Sequence, residues 1–222
     1  MYNDAFWLKH IDKSWYERDK EFWNSDYMKK LIGYLGDRYK KATVYPEKDN
    51  IFRAFRLTPF DKVRVVILGQ DPYPDGSATG LAFANSSDTL DISPSLKKIY
   101  ESVERDMYEG LLIDFDYTLE EWAEQGVLLL NTALTVEKFN IGAHSKYWET
   151  FTQHILSMLL PGTHVCLWGN HAKMYEKFLK DCYVYKCTHP ASAHYNKIDW
   201  KCDNFREINK NIYEQTKDVI VW

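Results

Sequence analysis

The stretch that most constrains this chain is Val63–Leu68, together with the turn Gly69-Gln70-Asp71-Pro72-Tyr73-Pro74 that follows it. Arg64 alone interrupts a run that is otherwise valine, isoleucine and leucine. A short, continuous apolar run bounded by turn residues fits a strand covered on both faces, as in a parallel sheet. The two prolines fix φ and cannot donate to a ladder, so the turn aims its side chains in a set direction. A carboxylate, an amide and an aromatic ring therefore leave the C-terminal end of a central strand together. Open α/β sheets bind ligands at such ends.

A length of 222 residues suits one domain with a full core. The aromatic content of 16% supplies rings for packing and leaves some for stacking on bases. A formal charge of -4 excludes blanket affinity for nucleic acid, so any phosphate contact must come from a local patch or from backbone N–H groups. The cysteines (Cys166, Cys182, Cys187, Cys202) contain no C-x-x-C pair, a poor pattern for zinc or an iron–sulfur cluster. Reduced thiols in a cytoplasmic protein are the expectation. The first fifteen residues lack an apolar signal-like region, and no stretch reaches membrane-spanning length, so an intracellular protein is expected.

Along the chain, residues 1–41 read as helical, and Ser25 or Asp26 is placed to cap a helix through Tyr27, Leu31, Ile32 and Leu35. Asp49 or Asn50 is expected to cap a short helix with Phe52 and Phe55 inward. Ser93 and Pro94 predict an N-cap and first helical residue, ahead of an apolar face of Leu96, Ile99, Tyr100 and Val103. Thr118 to Glu121 has capping-box spacing. Further strands are expected at Val127–Leu130, His164–Trp168 and Tyr183–Cys187. Helices are expected over Tyr147–Leu160, Ala172–Asp181 and Asn204–Tyr213.

Strands alternating with helices predict an α/β fold: a single-domain three-layer sandwich with a central four-stranded parallel sheet flanked by helices. It spans residues 1–222, with 1–40 as a helical N-terminal extension of the same domain. A polar cluster follows each strand: Gln70 and Asp71, then Asn131, then Asn170 and His171, then His189. In a parallel sheet all four converge on one edge, and an acid, amides and two imidazoles gathered there form a candidate site.

At these residues the chain resembles family 1 uracil-DNA glycosylases. GQDPY at Gly69–Tyr73, GLAFAN at Gly80–Asn85, GVLLLNTALTV at Gly126–Val136, AHS with WETFT between Ala143 and Thr152, LWGNHA at Leu167–Ala172 and HPAS-AH at His189–His194 carry the likeness. It covers roughly residues 40–213 in the family's order. It implies hydrolysis of the N-glycosidic bond of deoxyuridine in DNA, leaving an abasic site. It also implies catalytic roles for Asp71, toward the sugar cation and the attacking water, and for His189, toward uracil O2. Gln70, Tyr73, Phe83 and Asn131 are implied to bind the base: Asn131 reads O4 and N3–H, Tyr73 blocks a 5-methyl group, and Phe83 stacks. Ser95, Gly169, Asn170 and Ser192 are implied to hold DNA phosphates. No metal or organic cofactor is implied.

The family usually carries histidine after GQDPY, where this chain has Pro74, so a lower rate is expected. The family's leucine wedge is missing from the late loop, His189 to His194, which reads as shortened; Tyr195 or His194 is left as a substitute, and a preference for single strands is expected. The competing reading is a glycosylase-fold DNA-binding accessory protein with weak or no catalysis. Expected partners are uracil-containing DNA, single- or double-stranded, with a protein inhibitor or replication partner left open. No membrane contact is expected, and the chain is expected to be a monomer.

Overall fold

Apolar runs with no polar face need cover on both sides, and four of them obtain it here in one sheet. The computed structural model describes residues 4–86 and 91–222, so residues 1–3 of the expected N-terminal helical region lie outside the described residues. Its strands are β1 (Val44–Tyr45), β2 (Val65–Gly69), β3 (Val127–Asn131), β4 (Val136–Glu137), β5 (His164–Trp168) and β6 (Tyr183–Cys187). Four pair in parallel in the order β3-β2-β5-β6, while β1 and β4 form a separate antiparallel ribbon. Every residue of β2, β3 and β5 is buried, whereas the edge strand β6 is mostly open. The chain leaves β2 towards β3 and leaves β5 towards β6 on the other side. The switch point of the sheet therefore lies at the C-terminal ends of β2 and β5, where a crevice opens.

The strand beginning expected at Val63 falls two residues later, because Arg64 is still in the connection, its N–H donating to the Gly126 carbonyl at 2.9 Å. The helix signals divide between those that hold and those that neighbours override. Ser25 caps Asp26–Lys41 and Ser93 caps Pro94–Met107, each accepting an N–H three residues on. Neither Asp49 nor Asn50 caps a helix: both sit in a 3₁₀ turn, Lys48–Asn50, and Arg53–Leu57 starts after Phe52. The Thr118 capping box does not form, because Asp116 takes the N–H groups of Thr118 and Glu121 instead. The expected helix Ala172–Asp181 is split into Asn170–Lys173 and a 3₁₀ turn, Glu176–Phe178. There Met174 and Tyr175 donate to carbonyls only three residues back, which tightens the turn and stops the α-helix. Further helices run Glu120–Glu124, Ser145–Ser157, Pro190–Tyr195 and Asn204–Thr216.

The cysteine expectation is corrected as well. Cys187 and Cys202 form a disulfide with their Cα atoms 5.8 Å apart, and Cys166 and Cys182 are free. Cys187 ends β6 and Cys202 precedes the last helix, so a fold contact pairs two residues whose spacing in the chain announces nothing.

The N-terminal helices Asp4–His10, Lys13–Arg18 and Lys20–Trp23 share the central core. Trp7, Trp15 and Trp23 are buried, and Trp15 packs edge-on against Phe55 and Phe60 at 4.9 Å. Its indole N–H donates to the Thr58 carbonyl at 2.8 Å, and Trp23 donates to the Trp15 carbonyl at 2.9 Å. Trp15→Ala is expected to lower stability by about 3–5 kcal/mol, as large aromatic deletions do. Urea unfolding followed by far-ultraviolet circular dichroism and by tryptophan fluorescence should keep one coincident transition. Two separated transitions would show that the first forty residues unfold on their own.

Candidate active site

The ends of β2, β3 and β6 supply one cavity, together with loop residues. It measures about 210 Å³ and is lined by Gln70, Asp71, Tyr73, Phe83, Ser95, Asn131 and His189, among others. That is below the roughly 300–1,000 Å³ of pockets that bury drug-sized ligands, and it suits one flat ring. The register sets its floor: Gly69 pairs with Asn131 across β2 and β3, and a Cβ on Gly69 would stand 2.2 Å from Asn131 Oδ1. Only glycine lets the amide of Asn131 sit there.

Asp71 is half-buried behind the proline-stiffened turn. Its Oδ2 accepts a hydrogen bond from Gln70 Nε2 at 2.9 Å, while its buried Oδ1 has no partner. Burial pushes this carboxyl above its ordinary value, against the pull of Gln70, His171, the Gly142 N–H and His144. The Gly142 N–H faces Asp71 closely enough to favour the carboxylate without a bond of ordinary geometry to the orphaned Oδ1. A buried acceptor left open beside a cavity is where a reacting water finds a partner. Gln70, expected to touch a base, lines the cavity and gives a side-chain N–H to Asp71.

His189 N-caps the helix Pro190–Tyr195, its Nδ1 accepting from the Ala191 N–H at 3.1 Å. An accepting Nδ1 is unprotonated, so Nε2 carries the proton of a neutral ring. Burial lowers its pKa and keeps it neutral. Gly169, at φ +92°, makes room for it: a Cβ there would lie 2.9 Å from His189 Cβ. Gly169 thus acts in the fold as space for the imidazole.

Tyr73 is held at its tip, with its hydroxyl 2.6 Å from Ser93 Oγ and donating to the Phe83 carbonyl at 3.2 Å. Asn85 Oδ1 in turn accepts the Ser93 N–H at 3.1 Å. Burial raises the phenol's pKa, so it stays neutral. Phe83 adopts φ 66°, a left-handed conformation unusual for an aromatic residue, and its ring lies 5.9 Å from that of His189. Strain of this kind, on the order of 1–3 kcal/mol, gathers at functional sites.

The other expected residues divide. Ser95 lines the cavity and is only 6% exposed, so it is part of the pocket wall. Asn170 and Ser192 are exposed and lie outside the cavity lining. His171 belongs to the polar cluster expected after β5 but carries no expected role there, and His144, Ile141 and Gly142 are not among the expected site residues. His171 Nε2 lies 2.9 Å from Thr132 Oγ1, whose own proton goes to the Gln70 carbonyl at 2.9 Å. The imidazole therefore donates from Nε2, and through Thr132 it braces the turn that carries Asp71. Its place after β5 was the available signal. Ile141 and Gly142 carried none, because a loop's path to a pocket is not written in periodicity.

A neutral imidazole donor, a carboxylate with one unpartnered oxygen and an amide face a one-ring slot, the groups that a hydrolase excising a planar base needs. The family model described as "Uracil DNA glycosylase superfamily" matches residues 55–212. Proteins named uracil-DNA glycosylase from Chlamydia trachomatis and Fusobacterium nucleatum are 38% and 40% identical to this chain, covering 99% and 97% of it and 98% and 97% of themselves. The chain belongs to the uracil-DNA glycosylase superfamily. Among solved structures, mimivirus uracil-DNA glycosylase shares the fold, with a TM-score of 0.84 at 23% identity over 97% of this chain and 88% of its own. A variant of mimivirus UNG in complex with UGI gives 0.84 at 23% identity, over 97% of this chain and 89% of its own.

Burying an ionised Asp71 opposes folding. A carboxyl whose pKa is higher in the folded state withdraws stability as pH rises from the unfolded value through the folded one, and the loss persists above it. Asp71→Asn should therefore raise Tm by about 2 °C at neutral pH. The gain should vanish at a pH below the ordinary carboxylate value, where both proteins are neutral there. Calorimetry at the two pH values checks the sign.

Proposed function

We propose that this chain is a uracil-DNA glycosylase that hydrolyses the N-glycosidic bond of deoxyuridine in DNA, releasing uracil and leaving an abasic site. The observation that carries the proposal is that Asp71, Asn131 and His189, far apart in sequence, line the same small cavity. A base inside a duplex is out of reach of such a slot, so the nucleotide is extruded into it; glycosylases are the standard case of this step. Bond breaking builds positive charge on the sugar and negative charge on the departing base. The Asp71 carboxylate stabilises the first and orients water through its open Oδ1. His189, neutral with its proton on Nε2, donates to uracil O2 as charge develops there. No proton transfer from a cationic imidazole is required.

Base choice follows from the Asn131 amide and the held ring of Tyr73. Asn131 offers one acceptor and one donor to N3–H and O4, and cytosine presents the reverse pair. Tyr73, pinned at its hydroxyl, stands where a 5-methyl group would go. Phe83 stacks on the base. Exposed serine and backbone groups around Ser192 and Asn170 serve the phosphates. In the helix Pro190–Tyr195 Ala193 is buried, whereas Tyr195 is 75% exposed. Tyr195 is the residue available to enter a stack, and its grip is weaker than that of a dedicated wedge.

Release of free uracil from a uracil-containing oligonucleotide, without added metal, tests the proposal. Asp71→Asn should lower the rate about 100-fold or more. No release by the wild-type protein would favour the accessory-protein reading. Tyr73→Ala should gain measurable release of thymine from ordinary DNA, which the wild type lacks. Single-stranded substrate should be processed faster than duplex, and Tyr195→Ala should widen that gap; equal rates on both strand forms would remove the argument about the wedge.

A further inference from the structure

The pocket chemistry makes no use of a cluster formed by Arg38, Glu137 and His144, yet that cluster closes the loop 138–143, which supplies one wall of the pocket. The loop leaves β4 at Glu137 and returns to the buried His144. Its two ends are clasped by side chains, with His144 Nε2 lying 3.3 Å from Glu137 Oε1. Arg38, from the helix Asp26–Lys41, donates Nε to the same oxygen at 2.8 Å, and a second nitrogen of its guanidinium also donates there. The proton positions follow from the neighbours. The ionised Glu137 can only accept, so His144 Nε2 must donate to it. The neutral ring's Nδ1 then accepts from Thr135 Oγ1 at 2.9 Å, and that oxygen accepts from Trp148 Nε1 at 2.8 Å. The ring proton is therefore on Nε2, aimed at Glu137. Burial keeps His144 neutral; burial would raise Glu137 too, but Arg38 and His144 hold it below its ordinary value.

The loop held by this clasp touches the catalytic turn at several points. The Phe139 N–H donates to the Pro74 carbonyl at 3.0 Å. Ile141 lines the cavity, and the Gly142 N–H faces Asp71. We infer that Arg38, Glu137 and His144 are positioning residues for base excision, and that their clasp fixes the 138–143 loop so that Gly142 and Ile141 meet the Asp71 end of the pocket. This rests on the glycosylase reading. All three donors converge on one oxygen, so the role asked of residue 137 is that of an acceptor, which glutamine also fills.

The test compares Glu137→Ala, Glu137→Gln and Arg38→Met with the wild type, measuring uracil release from a single-stranded oligonucleotide across pH, together with Tm. Glu137→Ala should lower kcat about tenfold, as a small misplacement near reacting groups does. KM should stay within about twofold, the pattern of a lost transition-state interaction. The acid limb of kcat should move to higher pH, because Asp71 loses a donor that favours its ionised form. The other groups facing Asp71, namely Gln70 and His171, are untouched, and His144 keeps its Thr135 bond. Glu137→Gln should remain within about threefold of wild type with its acid limb in place. Arg38→Met should move in the direction of Glu137→Ala by a smaller step.

A Glu137→Ala protein with wild-type kcat and acid limb would overturn the inference. So would a Glu137→Gln protein as impaired as Glu137→Ala. Should the wild type release no uracil, a carbon-13 NMR titration of the Asp71 carboxyl in the same variants reads the same upward shift. Absence of that shift overturns the clasp independently of the activity.

Discussion

A carboxylate kept ionised while half out of water is the constraint on which the rest of this molecule depends. Asp71 gains reactivity from poor solvation, and the surrounding groups are arranged to offset that desolvation only in part. One oxygen is bonded to Gln70, the other is left open, and His171 and His144 stand near as neutral rings. Removing the support would make the ionised form costlier still, while fully bonding the open oxygen would give a more comfortable carboxylate and a poorer site. The strained backbone of Phe83 and the glycine at position 69, crowded against Asn131, belong to the same compromise. The large aromatic core, with Trp15, Trp23, Phe55 and Phe151 in edge contact, supplies the stability that such a site draws on.

The parallel sheet explains why residues from Gln70 to His189 can meet. Each strand delivers its following turn to the same edge, and the switch between β2 and β5 opens a crevice there. Rigid strand ends place Asp71, Asn131 and His189 more firmly than long loops could. The irregular wall at 138–143 is fastened instead by side chains, through Glu137, His144 and Arg38. That fastening reaches the helix Asp26–Lys41, so the N-terminal region is tied to the pocket by charge as well as by packing.

Much of this was legible in the sequence, for identifiable reasons. His164–Trp168 and Tyr183–Cys187 read to the residue because apolar runs were bounded by turn residues at both ends. Asp71, Asn131 and His189 stood out because polar residues directly after buried strands must gather at one edge. Legibility ended where competition between neighbours decides. Thr118 lost its cap to Asp116 two residues earlier, and the segment after Gly169 closed into tighter turns than its composition suggested. The disulfide between Cys187 and Cys202 and the pocket wall at Ile141 depend on chain path alone. Gln70 lines the cavity as expected and also braces Asp71, a contact that could not be chosen from the motif.

The most direct measurement is the titration of Asp71 in the free protein, followed by carbon-13 NMR of its side-chain carboxyl. A midpoint above the ordinary carboxylate range, with full ionisation by neutral pH, is the result this account requires. A midpoint at or below that range would mean that the carboxylate is comfortably solvated, and the electrostatic basis of the site would be contradicted.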